Sequence, residues 1–117
     1  MAGLLPFVVL KVFAFVDRHH EKDAYDLVWS LVNHPSGPEG AGREMAASPV
    51  VADSLAVEAL ALLRDRFADA HNDAPIAYAA FLDVTGDPEA AARLRNEAVE
   101  TVRIALNALD GVRECAR

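Results

Sequence analysis

Apolar residues recur along the chain at the spacing of helices, and this pattern predicts an all-α fold of about five helices packed as a compact bundle. No segment alternates apolar and polar residues in the manner of a convincing strand. A length of 117 residues is that of one domain, covering residues 1–117. The predicted helices cover residues 4–18, 22–33, 49–69, 75–82 and 88–110.

The first two predicted helices form an antiparallel hairpin. Residues 4–18 are apolar on nearly every side, and a polar cluster over residues 17–22 separates them from the next helix. In the second helix Ala24, Val28 and Leu31 form one apolar stripe. The hairpin is therefore expected to bury a stripe of its second helix against the first.

A flexible loop and a third helix are predicted next. Residues 34–47 contain two prolines and three glycines, a composition typical of a loop. Ser48 before Pro49 matches a helix N-cap with proline in the first turn. Leu55 and Phe67 then fall on one apolar face, which we expect to be buried.

The last two predicted helices are separated by a turn over residues 85–87. Pro75 opens the shorter of the two helices, and Asp87 before Pro88 repeats the capping signal for the longer one. Gly111 is predicted to end the long helix, because glycine is favoured just after a helix C-terminus.

Charge and cysteine content narrow the function classes. The chain has 11 lysines and arginines against 18 aspartates and glutamates, so its net charge of -7 disfavours non-specific nucleic-acid binding. A single cysteine, Cys115, excludes an intramolecular disulfide and fits a reducing, cytoplasmic location. Lys11 interrupts the apolar run 7–16, and no segment reaches the roughly 20 apolar residues of a membrane span. No membrane partner is expected.

Lys11 is the one polar residue in an otherwise apolar stretch of the first helix, so its ammonium needs an anionic partner. The hairpin would bring Asp23 and Asp26 to a comparable depth, and a lysine–aspartate pair can form across it. Such a pair has two interpretations. It can be a structural ion pair that fixes the hairpin register, or a phosphate-binding lysine with a carboxylate that orients it.

A resemblance to a known family rests on the same residues. The matching strings are Leu10-Lys11-Val12-Phe13-Ala14-Phe15, Asp17-Arg18 and Lys22-Asp23-Ala24-Tyr25-Asp26-Leu27. They resemble the start of the C-terminal helical region of nucleotidyltransferase-fold toxins of the AbiEii type, from type IV toxin–antitoxin systems. The resemblance implies that Lys11 is a catalytic, phosphate-contacting residue, and that Asp26, or Asp23 as the second candidate, is the aspartate of the last active-site motif.

The chain departs from that family in one respect. The family's sheet domain carries a Gly-Gly or Gly-Ser turn for nucleotide phosphates and an Asp-x-Asp pair for metal, and this sequence contains neither. No metal site is therefore assigned, and the chain is expected to be incomplete and inactive alone. The resemblance implies Mg²⁺, a nucleoside triphosphate and an acceptor such as tRNA for a completed enzyme. The partners it implies are an N-terminal nucleotidyltransferase half or a cognate antitoxin.

Two other function classes stay open. Arg64 or Arg66 with His71 has the spacing of the Arg and His residues in ribonucleases that resemble the HEPN superfamily. Alternatively, the chain is a non-catalytic, antitoxin-like interaction module. Its apolar first helix needs cover on several sides, and a second copy of the chain would supply that cover.

Two groups of side chains are expected to have ordinary roles. Tyr25 and Trp29 are spaced to lie on one helix face, where aromatic residues usually fill a core. His19 and His20 lie beside Glu21 in a charged connection, where adjacent residues rarely converge on one metal ion.

Overall fold

Six helices build the fold of the computed structural model, which describes residues 3–84 and 86–115. Thr85, expected in a turn, and the side chain of Cys115 lie outside the described residues. The helices are α1 (Leu4–Arg18), α2 (Glu21–Val32), α3 (Gly37–Ala47), α4 (Ser54–Arg66), α5 (Asp73–Phe81) and α6 (Pro88–Cys115). The described residues contain no strand, so the predicted all-α fold is confirmed.

The helices pack as a bundle around α2. Helix α1 contacts α2 and α4, while α6 packs along α3 and α5 and also reaches α2. The radius of gyration of the Cα atoms is 13.7 Å, close to the roughly 13 Å of a compact chain of this size. The largest fully buried side chains come from all six helices and include Leu5, Leu27, Leu31, Met45, Leu63, Pro75 and Leu109.

The prediction of a loop over residues 34–47 was wrong, because residues 37–47 form α3. Pro38 lies in the first turn, where a proline costs no intrahelical hydrogen bond. Gly40 and Gly42 lie where a neighbour leaves no room for a side chain. A Cβ atom on Gly42 would stand 2.0 Å from the carbonyl oxygen of Ala105 in α6, and one on Gly40 would stand 2.2 Å from the Cβ of Ser36.

The start of α4 also differs from the prediction. Ser48 and Pro49 precede a series of turns, and the helix begins only at Ser54. Asp53 is its N-cap, with a side-chain oxygen that accepts a hydrogen bond from the backbone N–H of Leu55 at 3.0 Å. Leu55, in the first turn of α4, is 59% exposed, so the expectation that it is buried was wrong.

Two other helix boundaries also differ from the prediction. Helix α5 begins at Asp73 rather than at Pro75. Pro75 lies within the first turn of the helix, where a proline is tolerated. Gly111 does not end α6, which continues to Cys115. Asp87 does cap α6, since its carboxylate accepts from the backbone N–H of Ala90 at 3.0 Å.

Glu44 links α3 to the start of α1 through hydrogen bonds. One carboxylate oxygen accepts from the backbone N–H of Leu4 at 3.0 Å, and the other lies 2.9 Å from Nε2 of His34. Two hydrogen bonds lower the pKa of the Glu44 carboxyl. The one from His34 has the larger effect, and the one from the Leu4 backbone has the smaller effect.

Candidate functional site

The turn of the α1–α2 hairpin determines which side chains meet across it. Helix α1 ends at Arg18, and its C-cap residue His19 adopts a left-handed conformation with φ 56° and donates its backbone N–H to the carbonyl of Phe15 at 2.7 Å. Helix α2 begins two residues later, after His20. The chain therefore reverses within two residues, and this brings Lys11 and Arg18 of α1 beside Asp23 and Asp26 of α2.

Lys11 binds both carboxylates that the sequence singled out. Its Nζ atom lies 2.8 Å from Oδ2 of Asp26 and 3.4 Å from Oδ1 of Asp23. The Lys11 side chain is 20% exposed, so the ammonium lies near the surface rather than in the core. The predicted lysine–aspartate pair across the hairpin is thus confirmed as a contact, whereas its catalytic role stays a prediction.

Asp23 is the buried member of the cluster, with a side chain only 4% exposed. Nη2 of Arg18 lies 3.0 Å from one of its oxygens and 3.3 Å from the other, and Lys11 completes its partners. A buried carboxylate is costly unless it is paired, and two cations compensate this one. Asp23 is accordingly arranged to hold α1 and α2 together.

Asp26 is shared by two lysines. Lys22, one turn earlier on α2, places its Nζ 3.0 Å from the same Oδ2 atom that Lys11 contacts. Burial alone would raise the pKa of the Asp26 carboxyl, but the hydrogen bonds from Lys11 and Lys22 outweigh it and lower that pKa. The hydrogen bond to Asp26 conversely raises the pKa of Lys11, against the opposing effect of burial. The pair is therefore ionised over a wide pH range.

The cluster combines three cations with two carboxylates. Lys11, Arg18 and Lys22 surround Asp23 and Asp26, which leaves one positive charge in excess. A divalent metal prefers carboxylates that are free to coordinate it, and these are bound by ammonium and guanidinium groups. No three His, Cys, Asp or Glu side chains converge on a common point within the described residues. These residues do not fit Mg²⁺.

A second charged cluster lies at the turn between α4 and α5. Arg66 donates to Asp73 at 2.9 Å, and Nε2 of His19 lies 3.5 Å from the same carboxylate. Arg64 instead binds Asp110 of α6 at 3.0 Å. Both arginines of the ribonuclease-like spacing are therefore bound to carboxylates. The histidine brought beside Asp73 is His19, and His71 stays exposed.

The two aromatic residues of α2 have different environments. Tyr25 stacks on Tyr78 of α5 with ring centroids 6.1 Å apart, and it also meets Phe81 at 4.7 Å. Trp29 is 52% exposed, so the expectation that it fills the core was wrong. On α2 it is four residues beyond Tyr25, but the fold covers only Tyr25, with side chains of α5.

An apolar groove beside α1 was not foreseen from the sequence. It has a volume of about 500 Å³ and lies between α1 and the start of α4. Its lining residues are Pro6, Val9, Leu10, Phe13, Val50, Asp53, Leu55 and Ala56. The apolar pattern predicts a buried Leu55, whereas the structure leaves this side chain exposed in the lining of the groove.

None of the described helices combines the length and the apolar composition needed to cross a lipid bilayer. Comparisons with models of protein families, with curated proteins and with solved structures found no match to this chain.

Proposed function

We propose that this chain supplies the helical part of a cytoplasmic nucleotidyltransferase of AbiEii toxin type, and that it transfers no nucleotide by itself. The observation that supports the proposal is the 2.8 Å contact between Lys11 and Asp26 at the partly exposed edge of the hairpin. In this function Lys11 contacts a phosphate of a nucleoside triphosphate, while Asp26 is a positioning residue that holds the ammonium in place.

The hydrogen-bonding capacity of Lys11 is consistent with this role. An ammonium group has three N–H donors, and Asp26 and Asp23 use two of them. The third donor is left for a phosphate oxygen. Because the carboxylates are bound by cations, Mg²⁺ and the phosphate-holding turn must come from a separate sheet domain, the proposed N-terminal partner. A cognate antitoxin and a tRNA acceptor would engage the completed enzyme.

A chimaeric enzyme tests the proposal. This chain replaces the helical region of an AbiEii-type toxin, and transfer of labelled nucleotide to tRNA is measured with Mg²⁺ present. We expect transfer by the chimaera and none by the chain alone. Lys11→Gln should abolish the transfer. Lys22→Gln, which removes a more exposed lysine from the same cluster, should leave most of it.

Two outcomes would contradict the proposal. One is a folded, monodisperse chimaera without transfer activity, with folding checked by circular dichroism and light scattering. The other is a chimaera in which Lys11→Gln transfers nucleotide as well as the parent. Robust label incorporation by the unmodified chain alone would contradict the proposal that it needs a partner domain for transfer.

A second candidate, a non-catalytic helical interaction module, is favoured by the apolar groove. In this function the Lys11 cluster only fixes the hairpin register. Large apolar side chains in the lining of the groove are exposed to solvent, with Leu10 66% exposed and Leu55 59% exposed. The chimaera separates the two candidates, because an interaction module supplies no Lys11-dependent transfer.

A further inference from the structure

The groove between α1 and α4 joins exposed apolar side chains into one surface. A single exposed leucine is ordinary in a folded protein. Here Leu10 from α1 and Leu55 from α4 line the same groove, together with Val50, which is 41% exposed. Phe7, 37% exposed, lies three residues before Leu10 on α1 and therefore at a neighbouring position on the helix surface. A continuous apolar surface of this kind is typical of an interaction site.

The dimensions of the groove fit a helix. Pro6 and Phe13 lie at its two ends on α1, and seven residues of helix rise roughly 10 Å, or two turns. An incoming amphipathic helix presents side chains at positions i, i+3 or i+4, and i+7 over the same distance. The volume of about 500 Å³ can accommodate several such side chains.

Charge distinguishes between the occupants that could fill the groove. Asp53 is the one ionisable residue among those that line it, and the ammonium of the neighbouring Lys11 is instead bound to Asp26. A second copy of the chain would bring another net charge of -7 to a groove whose one ionisable lining residue is acidic. Anionic membranes are disfavoured for the same reason. A partner that carries a cation next to its apolar side chains is complementary.

We propose that this groove docks an amphipathic helix of another protein, which inserts apolar side chains between Leu10 and Leu55 and directs a lysine or arginine toward Asp53. The proposal specifies the partner class for the interaction-module candidate. It does not depend on nucleotidyl transfer, because Lys11 does not line the groove.

A displayed library of helical peptides tests the apolar part. Each peptide carries leucines at i, i+4 and i+7 with randomised flanking residues, and selection uses the full chain as the target. Peptide affinity is then measured by fluorescence anisotropy. Leu10→Gln and Leu55→Gln should each weaken binding by about tenfold or more. The matched control is Ile76→Gln, which changes a residue 47% exposed on α5 and should leave affinity unchanged.

The charge at Asp53 is tested separately. Asparagine is as good an N-cap as aspartate, so Asp53→Asn removes the charge and keeps the start of α4. Selected peptides should be enriched in lysine or arginine beside the leucines. Asp53→Asn should weaken their binding about two- to fivefold, the effect of one exposed ion pair, and should reduce its salt dependence.

Four results would overturn this assignment. The first is a selection that yields no peptide whose binding is lost in Leu10→Gln, and the second is enrichment of acidic flanking residues. The third is a dimer in light scattering that dissociates in Leu10→Gln, which would assign the groove to a second copy. The fourth is sedimentation with phosphatidylserine vesicles that Leu10→Gln abolishes, which would assign it to a lipid surface. Lys11→Gln should leave peptide binding intact, so failure of the transferase proposal is distinguishable.

Discussion

Gly42 of α3 lies directly against the backbone of Ala105 in α6. A Cβ atom on Gly42 would stand 2.0 Å from the carbonyl oxygen of Ala105 and 2.9 Å from the Cβ of Ala108. Real Cβ atoms do not approach other atoms this closely, so α3 and α6 can keep their separation only with glycine at this position. The glycine that suggested a loop is therefore a packing residue between two helices.

Substitution of Gly42 tests this contact. Alanine has the higher helix propensity, by about 1 kcal/mol, so an exposed site would gain stability. At Gly42 the clash with backbone atoms outweighs that gain, and we expect Gly42→Ala to lower the free energy of unfolding by about 1–3 kcal/mol. Urea denaturation measures the change. Gly111→Ala is the control, because nothing lies within 4 Å of its Cβ position in α6, and this variant should be more stable. Equal stability of the Gly42→Ala variant and the parent would refute the contact.

Helix α3 could not be predicted from the amino-acid composition of its segment. Glycine has two uses, conformational freedom and the absence of a side chain, and the sequence of residues 34–47 does not distinguish them. Pattern and caps did predict α1, α2 and the start of α6 closely, because their apolar spacing is regular and their ends are polar. The close contact of Gly42 depends on α6, which is more than 40 residues away in the sequence.

The start of α4 offers a second test, because two cap candidates compete. The Asp53 carboxylate accepts from the Leu55 backbone at 3.0 Å, whereas the Ser48 hydroxyl accepts only a weak 3.4 Å bond from Val50. Asp53→Ala should therefore lower the free energy of unfolding by about 1 kcal/mol, and Ser48→Ala should cost less. Urea denaturation of the two variants under the same conditions measures the difference. A larger loss from Ser48→Ala would indicate that the helix begins at Pro49 after all.

The charged cluster was predictable only in part. A hairpin that reverses between α1 and α2 must bring Lys11 near the carboxylates of α2, and that inference needed only helix geometry. The binding of Arg18 to Asp23 and of Lys22 to Asp26 was not foreseen. Both cations have long, flexible side chains with several acidic neighbours, and only packing selects between them.

The ion pair of Lys11 and Asp26 should make stability depend on pH. The folded pKa of Asp26 is lowered, so its stabilising effect is present above the unfolded value of about 4 and is lost as pH falls through the folded pKa. The folded pKa of Lys11 is raised. Its effect is therefore present below the unfolded value of about 10 and is lost as pH rises through the folded pKa.

A substitution isolates the acidic part of this dependence. At pH 7 Asp26→Asn should lower the free energy of unfolding by about 1 kcal/mol, and the difference from the parent should shrink below about pH 4. The Glu44 carboxyl also has a lowered pKa, so both proteins should still lose stability in acid. Asp65→Asn, at an exposed carboxylate of α4, is the control and should parallel the parent. A constant difference across the acid range would show that ionisation of Asp26 does not stabilise the fold.

Trp29 supplies the last test, because its exposure contradicts the expectation from helix spacing. It is the single tryptophan of the chain and is 52% exposed, while Leu31 on the same helix is fully buried. Acrylamide should quench the fluorescence of the folded protein nearly as well as that of the protein in concentrated urea. Trp29→Ala should cost about 1 kcal/mol or less of unfolding free energy, against about 2–5 kcal/mol for Leu31→Ala. Fluorescence that resists quenching in the folded protein, with a loss from Trp29→Ala as large as that from Leu31→Ala, would place the indole in a buried environment and contradict this orientation of α2.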